Sequence, residues 1–375
     1  MKYRKFGNTG VDVSALGFGC MRLPMLDTDH GEVVNEELSI KIIRDAIDQG
    51  VNYIDTAYGY CGGKSEETVG KALKGGYREK VYVSTKMPTF NVKEKGDYRR
   101  FLEEQLRRLD VGAIDFYHFH ALNNKLWEDV VLKFNLLDDA IKAKEEGLIK
   151  HISFSFHDHP DIMKKIIDSG AFESVLCQYN LLDRANEEAI EYANQKGLGV
   201  VIMGPVAGGR LVAPSKVFKD MFGREAANTP ELAFRFVLGN PNVSCALSGM
   251  SNEQMVQENI NTASDSSPLS KLEMDKIAKA LDEIKGLADL YCTGCEYCLP
   301  CPQNINIPKL FSIMNYHKVY GMTDYAEDLY KGIGKTDKAG ARPVECIECG
   351  TCESKCPQNI EIREQLKEIV SVFGE

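Results

Sequence analysis

The chain has little of what would carry it into a membrane, out of a cell or onto a nucleic acid. No stretch of about eighteen apolar residues occurs, so a helical membrane span is not expected. Residues Met1 to Thr9 are polar and lack the apolar core of a secretory signal. Positive charge is in deficit: 45 Lys and Arg against 55 Asp and Glu leave a formal net charge of −10, which argues against a nucleic-acid partner. A cytoplasmic protein with neither membrane nor nucleic acid as partner is the expectation. What is present suits a globular protein of two domains: 375 residues, 43% of them hydrophobic.

Cysteine is abundant and unevenly placed. Eight of the twelve fall in two runs that nearly copy each other. The first is Cys292-x2-Cys295-x2-Cys298-x2-Cys301-Pro302, the second Cys346-x2-Cys349-x2-Cys352-x3-Cys356-Pro357, and each continues Gln-Asn-Ile. CxxCxxC puts three thiolates on one tight loop, enough for three corners of an iron–sulfur cubane, and a distant Cys-Pro supplies the fourth. Structural zinc is the weaker reading, since it prefers two CxxC pairs with a longer spacer. Disulfides are weaker still in a chain without an export signal. The pattern resembles that of bacterial ferredoxins, except that the first run closes with CxxCP where the ferredoxins have CxxxCP. The resemblance implies two [4Fe–4S] clusters, each taking its fourth ligand from the other run. One then sits on Cys292, Cys295, Cys298 and Cys356, the other on Cys346, Cys349, Cys352 and Cys301. Helices are expected over Lys309–Tyr320 and Ile362–Phe373, with the metals holding so small a module together more than an apolar core could.

The first 260 or so residues alternate short apolar runs with amphipathic segments. Candidate strands are Ser14–Gly19, Asn52–Ala57, Lys80–Lys86, Ile114–His120, His151–Phe156, Ser174–Gln178, Gly199–Met203 and Ser244–Leu247. Helices are expected between them, among them one long helix over Leu126–Glu146. This rhythm predicts an α/β fold, a (β/α)8 TIM barrel, with an N-terminal hairpin (Tyr3–Phe6 with Val11–Val13) ahead of it. A doubly wound open sheet is the alternative. The expected division is a barrel over 1–270, a connecting helix over 271–287 (Leu272–Ala288 by its pattern) and a small, mostly helical ferredoxin-like iron–sulfur domain over 288–375. Ala263–Ser270 reads as a linker.

In such a barrel, chemistry gathers at the C-terminal ends of the strands. There the second strand runs out into Asp55-Thr56-Ala57-Tyr58-Gly59-Tyr60, the third ends at Lys86 and the fourth at His120. A buried lysine beside an aspartate stays charged, and a tyrosine beside that lysine becomes a better proton donor. A nearby histidine can orient a carbonyl oxygen. Together they could protonate an oxyanion while hydride arrives from elsewhere. Cys20, Cys177 and Cys245 read as core, and Cys61 as a small packing residue.

Over roughly residues 1 to 265 the sequence resembles an aldo/keto reductase. The residues that carry the likeness are Asp55-Thr-Ala-x2-Tyr60, Ser84-Thr85-Lys86, Asp115-x4-His120, Gln178-Tyr179-Asn180, Gly204-Pro205-x2-Gly208-Gly209-x-Leu211 and Gly249-x-Ser251-Asn252-x6-Asn259. With its tail, the chain resembles the ferredoxin-linked branch of that family. The resemblance implies that Tyr60 is the general acid, that Lys86 lowers its pKa, that Asp55 pairs with Lys86 and that His120 orients the substrate carbonyl. Tyr58 and His118 are the rivals of Tyr60 and His120.

The resemblance further implies an NADP or NAD site built from Gly19, Cys20, Met21, Asp55, Ser155, Gln178, Met203, Gly204, Pro205, Gly208, Arg210, Gly249, Ser251, Asn252, Glu258 and Asn259. Phe156 stands where relatives have Asn, Met203 where an aromatic residue stacks on the nicotinamide, and Met255 where a cation or Gln meets the adenosine phosphate. A flavin is the alternative hydride carrier, as it bridges two-electron and one-electron chemistry. The expected activity is reduction of a small-molecule carbonyl to an alcohol, or the reverse, with a ferredoxin or flavodoxin as electron partner. The alternative is an electron-relay or redox-sensing protein whose barrel is only a docking scaffold.

Overall fold

The computed structural model describes residues 1–28, 31–181, 183–206, 229–265, 269–272, 274–275, 292, 298–318, 321–336, 339–356 and 360–375. These fall into two compact units, one drawn from segments 1–208 and 230–269, the other chiefly from 270–375.

The first unit opens with an antiparallel hairpin, β1 (Tyr3–Lys5) against β2 (Asp12–Ser14). Then come β3 (Leu16–Gly19), a second hairpin of β4 (Met25–Thr28) and β5 (Gly31–Val34), and seven more strands: β6 (Tyr53–Asp55), β7 (Tyr82–Met87), β8 (Ile114–Leu122), β9 (Ile149–Phe156), β10 (Ser174–Gln178), β11 (Gly199–Met203) and β12 (Cys245–Ser248). β3 and β6 to β12 close into a parallel barrel in chain order, β12 pairing back onto β3. The strands are short, near-continuous apolar runs, as a sheet covered on both faces requires. Alternation along β9 shows the two faces. Ser153 meets Ser174 of the next strand at 2.6 Å, while Phe154 packs on Phe172 with ring centroids 4.7 Å apart.

The N-terminal hairpin plugs the end of the barrel opposite the strand C-termini. Phe6 and Val13 are buried with Tyr53, Phe116, Leu176, Val201 and Cys245 in one apolar cluster. Two glycines permit this seating. A Cβ on Gly199 would lie 2.3 Å from the Phe6 ring, and one on Gly7, whose φ is +54°, would lie 2.4 Å from the Gly197 carbonyl oxygen.

Most expected helices lie where their periodicity placed them, including Glu36–Asp48, Asp97–Leu109 and Pro160–Ile167. Three expectations need correction. The single helix over Leu126–Glu146 is broken: a wide π-type turn over Trp127–Leu132 ends before Asn135, which sits at φ 57°, and the helix restarts at Leu136. Asparagine tolerates the left-handed region that breaks a helix. The linker expected from Ala263 is partly helix, because Glu253–Asp265 continues through the buried Ala263. The β4–β5 hairpin was not anticipated.

In the second unit, helices Ile307–Lys318, Thr323–Lys331 and Ile362–Phe373 are described; the last matches its expected span, and the second was not expected. The unit also has an apolar core of its own. Leu310, Phe311, Met314, Ala326, Tyr330, Leu366 and Ile369 are buried, and Tyr330 stacks on Phe373 at 5.1 Å. The expected helix Leu272–Ala288 lies almost entirely outside the described residues.

Candidate active site and cysteine-lined cavity

Closure of the barrel sets Asp55 at the end of β6, Lys86 on β7 and His120 on β8, one strand apart each. Lys86 Nζ donates to Asp55 Oδ1 at 2.6 Å and to the Thr56 carbonyl at 2.7 Å, with both side chains of the ion pair almost wholly buried. Ser84 holds the other carboxylate oxygen, donating to Asp55 Oδ2 at 2.9 Å. The same ammonium lies 4.7 Å from the centre of the Tyr60 ring. His120 packs edge to face with that ring at 6.2 Å, with Phe90 tilted against the imidazole at 5.6 Å.

Electrostatics follow from this burial. Desolvation opposes the Lys86 charge, but Asp55 and Tyr60 outweigh it and raise its pKa, so the ammonium persists. For Tyr60 burial is the larger influence and raises its pKa. Lys86 pulls the other way, through charge and a hydrogen bond, without cancelling it. The net direction is thus opposite to the one read from the sequence, because a phenolate in this pocket loses more solvation than one ammonium restores. Burial, then the charges of Lys86 and His157, hold His120 down to about 3. Its ring is neutral over the ordinary pH range, and its buried Nδ1 has no hydrogen-bond partner among the described residues.

The rivals are placed elsewhere. Tyr58 turns to the helix Asp97–Leu109, donating to Glu104 Oε2 at 3.1 Å with the Arg108 guanidinium 4.1 Å from its ring centre. His118 lies deeper on the same face of β8 as His120, fully buried, its Nε2 3.4 Å from the Tyr53 hydroxyl. Asp115, part of the family-like motif, is structural here. It accepts from the Val83 N–H at 2.8 Å and from Arg78 at 2.7 Å.

Apart from Asp55, the described residues expected to hold a dinucleotide occupy the other arc of the rim. Gly19 pairs with Asp55, and a Cβ on it would lie 3.4 Å from the Ser248 carbonyl oxygen, which brings β3 and β12 together beside Gly249. Cys20 is buried; Met21 is exposed. Ser155 is the last but one residue of β9, and Gln178 and Met203 end β10 and β11, the latter followed by Gly204 and the buried Pro205. Ser155 Oγ accepts from the Ala121 N–H at 2.7 Å, leaving its own proton to donate. Gly204, at φ +63°, lets the Gln178 amide approach: a Cβ there would sit 2.9 Å from Gln178 Nε2. Asn180 donates to the Gly204 carbonyl at 3.0 Å. A hydroxyl and an amide beside a half-buried thioether suit a ring carboxamide, so these residues fit a nicotinamide. Phe156 turns from this set toward Phe154. At the far end Asn252 caps Glu253–Asp265, accepting from the Met255 N–H at 2.8 Å, while Ser251 reaches the Met255 sulfur at 3.4 Å. Asn259 is committed internally to Ser248 at 2.9 Å, and Glu258 is exposed against Gln254. Gly208 and Arg210 lie outside the described residues.

In the second unit a hollow is lined by Cys298, Cys301, Cys346, Cys349 and Cys352, together with Ile305 and Leu366. Four of these thiols, Cys301, Cys346, Cys349 and Cys352, are the set expected for one cluster. Glu348 and Gly350, at φ 52° and 72°, curl the Cys346–Cys352 loop around the hollow. Among the described residues no three such groups converge on one point as they would around a single ion. A cubane needs something different, since its corners point outward and its thiolates surround a volume; a ring of thiols around a hollow fits it. Cys292 and Cys356 are described away from that lining, and Cys295 lies outside the described residues.

A closed parallel barrel with a buried lysine–aspartate pair and a tyrosine on its rim, joined to a cysteine-lined module, defines an oxidoreductase. The chain belongs to the aldo/keto reductase family, whose model matches residues 15–282, and a 4Fe-4S dicluster domain matches residues 291–361. It is similar to L-galactose dehydrogenase of Arabidopsis thaliana, 27% identical over 316 residues, covering 77% of this chain and 95% of that protein. It is also 27% identical over 299 residues to the uncharacterized oxidoreductase YqkF of Bacillus subtilis (strain 168), covering 70% and 91%. Among solved structures, the holo form of aldo-keto reductase AKR11C1 from Bacillus halodurans matches with a TM-score of 0.64 at 27% identity, covering 75% of this chain and 96% of that one.

Proposed function

We propose that the protein reduces the carbonyl of a small aldehyde or ketone to an alcohol, or runs the reverse reaction, with Tyr60 as the proton donor. One observation carries this reading: Lys86, fixed by Asp55 at 2.6 Å, lies 4.7 Å from the Tyr60 ring, and a neutral His120 packs edge to face with the same ring at 6.2 Å. A nicotinamide held by Ser155, Gln178 and Met203 would supply the hydride. The chain's own residues do the rest. His120, being neutral, directs a hydrogen bond at the carbonyl oxygen and adds no charge that would compete with Lys86. Tyr60 gives its proton to that oxygen as negative charge develops there, and the Lys86 ammonium stabilises the phenolate left behind. Asp55 keeps the ammonium in place and balances its charge in a buried site. Tyr60→Phe is expected to cut turnover by about 10² to 10⁴-fold while NADPH or NADH titration still reports binding. A variant with near-wild-type rates would remove Tyr60 from this role.

The proposal extends to the second unit. Two [4Fe–4S] clusters, on Cys292, Cys295, Cys298 and Cys356 and on Cys346, Cys349, Cys352 and Cys301, would exchange single electrons with a ferredoxin or flavodoxin. Around one hollow Cys298 and Cys301 of the first run meet Cys346, Cys349 and Cys352 of the second, which supports ligands drawn from both runs.

A further inference from the structure

Glu66 is a first-turn acid of the helix Ser65–Ala72, a position where acids ordinarily face solvent at a helix N-terminus. Here it is fully buried. One oxygen, Oε1, accepts from Thr85 Oγ1 at 2.6 Å and from Gln105 Nε2. The other lies 3.4 Å from Arg108 Nη1. Burial pushes this carboxyl up, and Thr85, Gln105 and Arg108 draw it back.

Each partner makes a second bond, and those bonds lead to the proton-transfer pair. Gln105 Nε2 also donates to the Lys86 carbonyl at 3.1 Å, and Gln105 Oε1 accepts from the Tyr117 hydroxyl at 2.7 Å. Arg108 Nη1 donates to the Tyr58 carbonyl at 3.1 Å, two residues before Tyr60, and its Nη2 to Glu104 at 2.5 Å. The turn that carries Tyr60 has little regular structure of its own, since Cys61, Gly62 and Gly63 all have positive φ (52°, 64° and 87°). Its position therefore depends on what grips it from outside.

We infer that Glu66, acting through Gln105 and Arg108, is a positioning residue that fixes the spacing between Tyr60 and Lys86 without touching substrate or cofactor. It joins the strand end that carries the ammonium to the turn that carries the phenol. Its consequence for turnover rests on the proposed role of Tyr60; its consequence for geometry does not.

The test reads Tyr60 directly. Full-length protein carrying tyrosine labelled with carbon-13 at Cζ is titrated by NMR, with Tyr60→Phe identifying the resonance. The groups that face this phenol are Lys86 on β7, Asp55 on β6, Cys20 after β3 and His120 on β8. All of them stay in place in every variant compared. Glu66→Leu is expected to move the Tyr60 titration to higher pH, because the phenol drifts from the ammonium, and to lower kcat by about tenfold to a hundredfold at unchanged KM for the dinucleotide. Glu66→Gln keeps the Oε1 bonds to Thr85 and Gln105 but loses the acceptor for Arg108, so it is expected to give a smaller shift and a smaller loss of rate than Glu66→Leu. If Glu66→Leu fails to fold, Gln105→Leu and Arg108→Met each release one arm and carry the same test. A folded variant whose Tyr60 titrates as in the wild type overturns the inference. Should Tyr60→Phe keep its rate while Glu66→Leu still shifts the titration, the catalytic reading fails and the positioning stands.

Discussion

Lys86 is 1% exposed and Asp55 3%, so neither charge could persist there alone. Lys86→Met is expected to destabilise the fold by about 3–5 kcal/mol, because it leaves a carboxylate buried without its partner. The double variant Asp55→Asn, Lys86→Met removes both charges. It should regain most of that loss in urea unfolding while remaining inactive; recovery of activity along with stability would separate the pair from proton transfer. These residues were legible in the sequence because their spacing, Asp55 to Tyr60 and on to Lys86 and His120, is itself the signature of the rim. Glu66 was not. In Ser65-Glu66-Glu67-Thr68 both acids look alike, and only the fold shows that Glu66 is buried against Thr85 and Gln105 while Glu67 pairs with Lys64 near solvent. The direction of the Tyr60 shift was hidden for a related reason: a sequence names the neighbouring charge but not the depth of burial.

At the scale of elements, the barrel strands could be read because each is a short apolar run, whereas β4 and β5 could not. Met25, Leu26 and Val33 of that hairpin are exposed, so no inside–outside alternation marks it. The break at Asn135 was likewise masked by an amphipathic pattern that continues across it. The N-terminal plug offers the sharpest element-level expectation. Gly7 combines a left-handed φ with backbone atoms of Gly197 and Gly199 at 2.4 Å from any added Cβ, and none of these is a flexible side-chain end. Gly7→Ala is therefore expected to cost about 2–4 kcal/mol of stability. Gly10→Ala in the same turn meets nothing within 4 Å, though its φ of +78° still strains alanine, and should cost less. Chemical denaturation of the two variants side by side measures the difference, and equal losses would mean that the seating of Phe6 is not what the glycine protects.

For the whole molecule, the two units are held by different means. The barrel rests on its apolar interior, while the second unit combines packed helices, among them Ile307–Lys318, Thr323–Lys331 and Ile362–Phe373, with a thiol-lined hollow. Anaerobically purified protein is expected to hold about eight iron and eight sulfide per chain, and Cys301→Ala about four of each. Stripping the iron with a chelator and oxidant should abolish the cooperative melting of the second unit in calorimetry and leave the barrel transition in place. An unchanged second transition would mean that its helices alone suffice.

Around that hollow the thiols are not equally sheltered. Cys301, Cys346 and Cys352 are part-buried, whereas Cys349 is exposed, next to an Ile347 that is 60% exposed. A cluster seated there would have one uncovered corner. That corner is where a colliding dioxygen molecule would arrive first, so for such a cluster air damage would begin with the iron at Cys349.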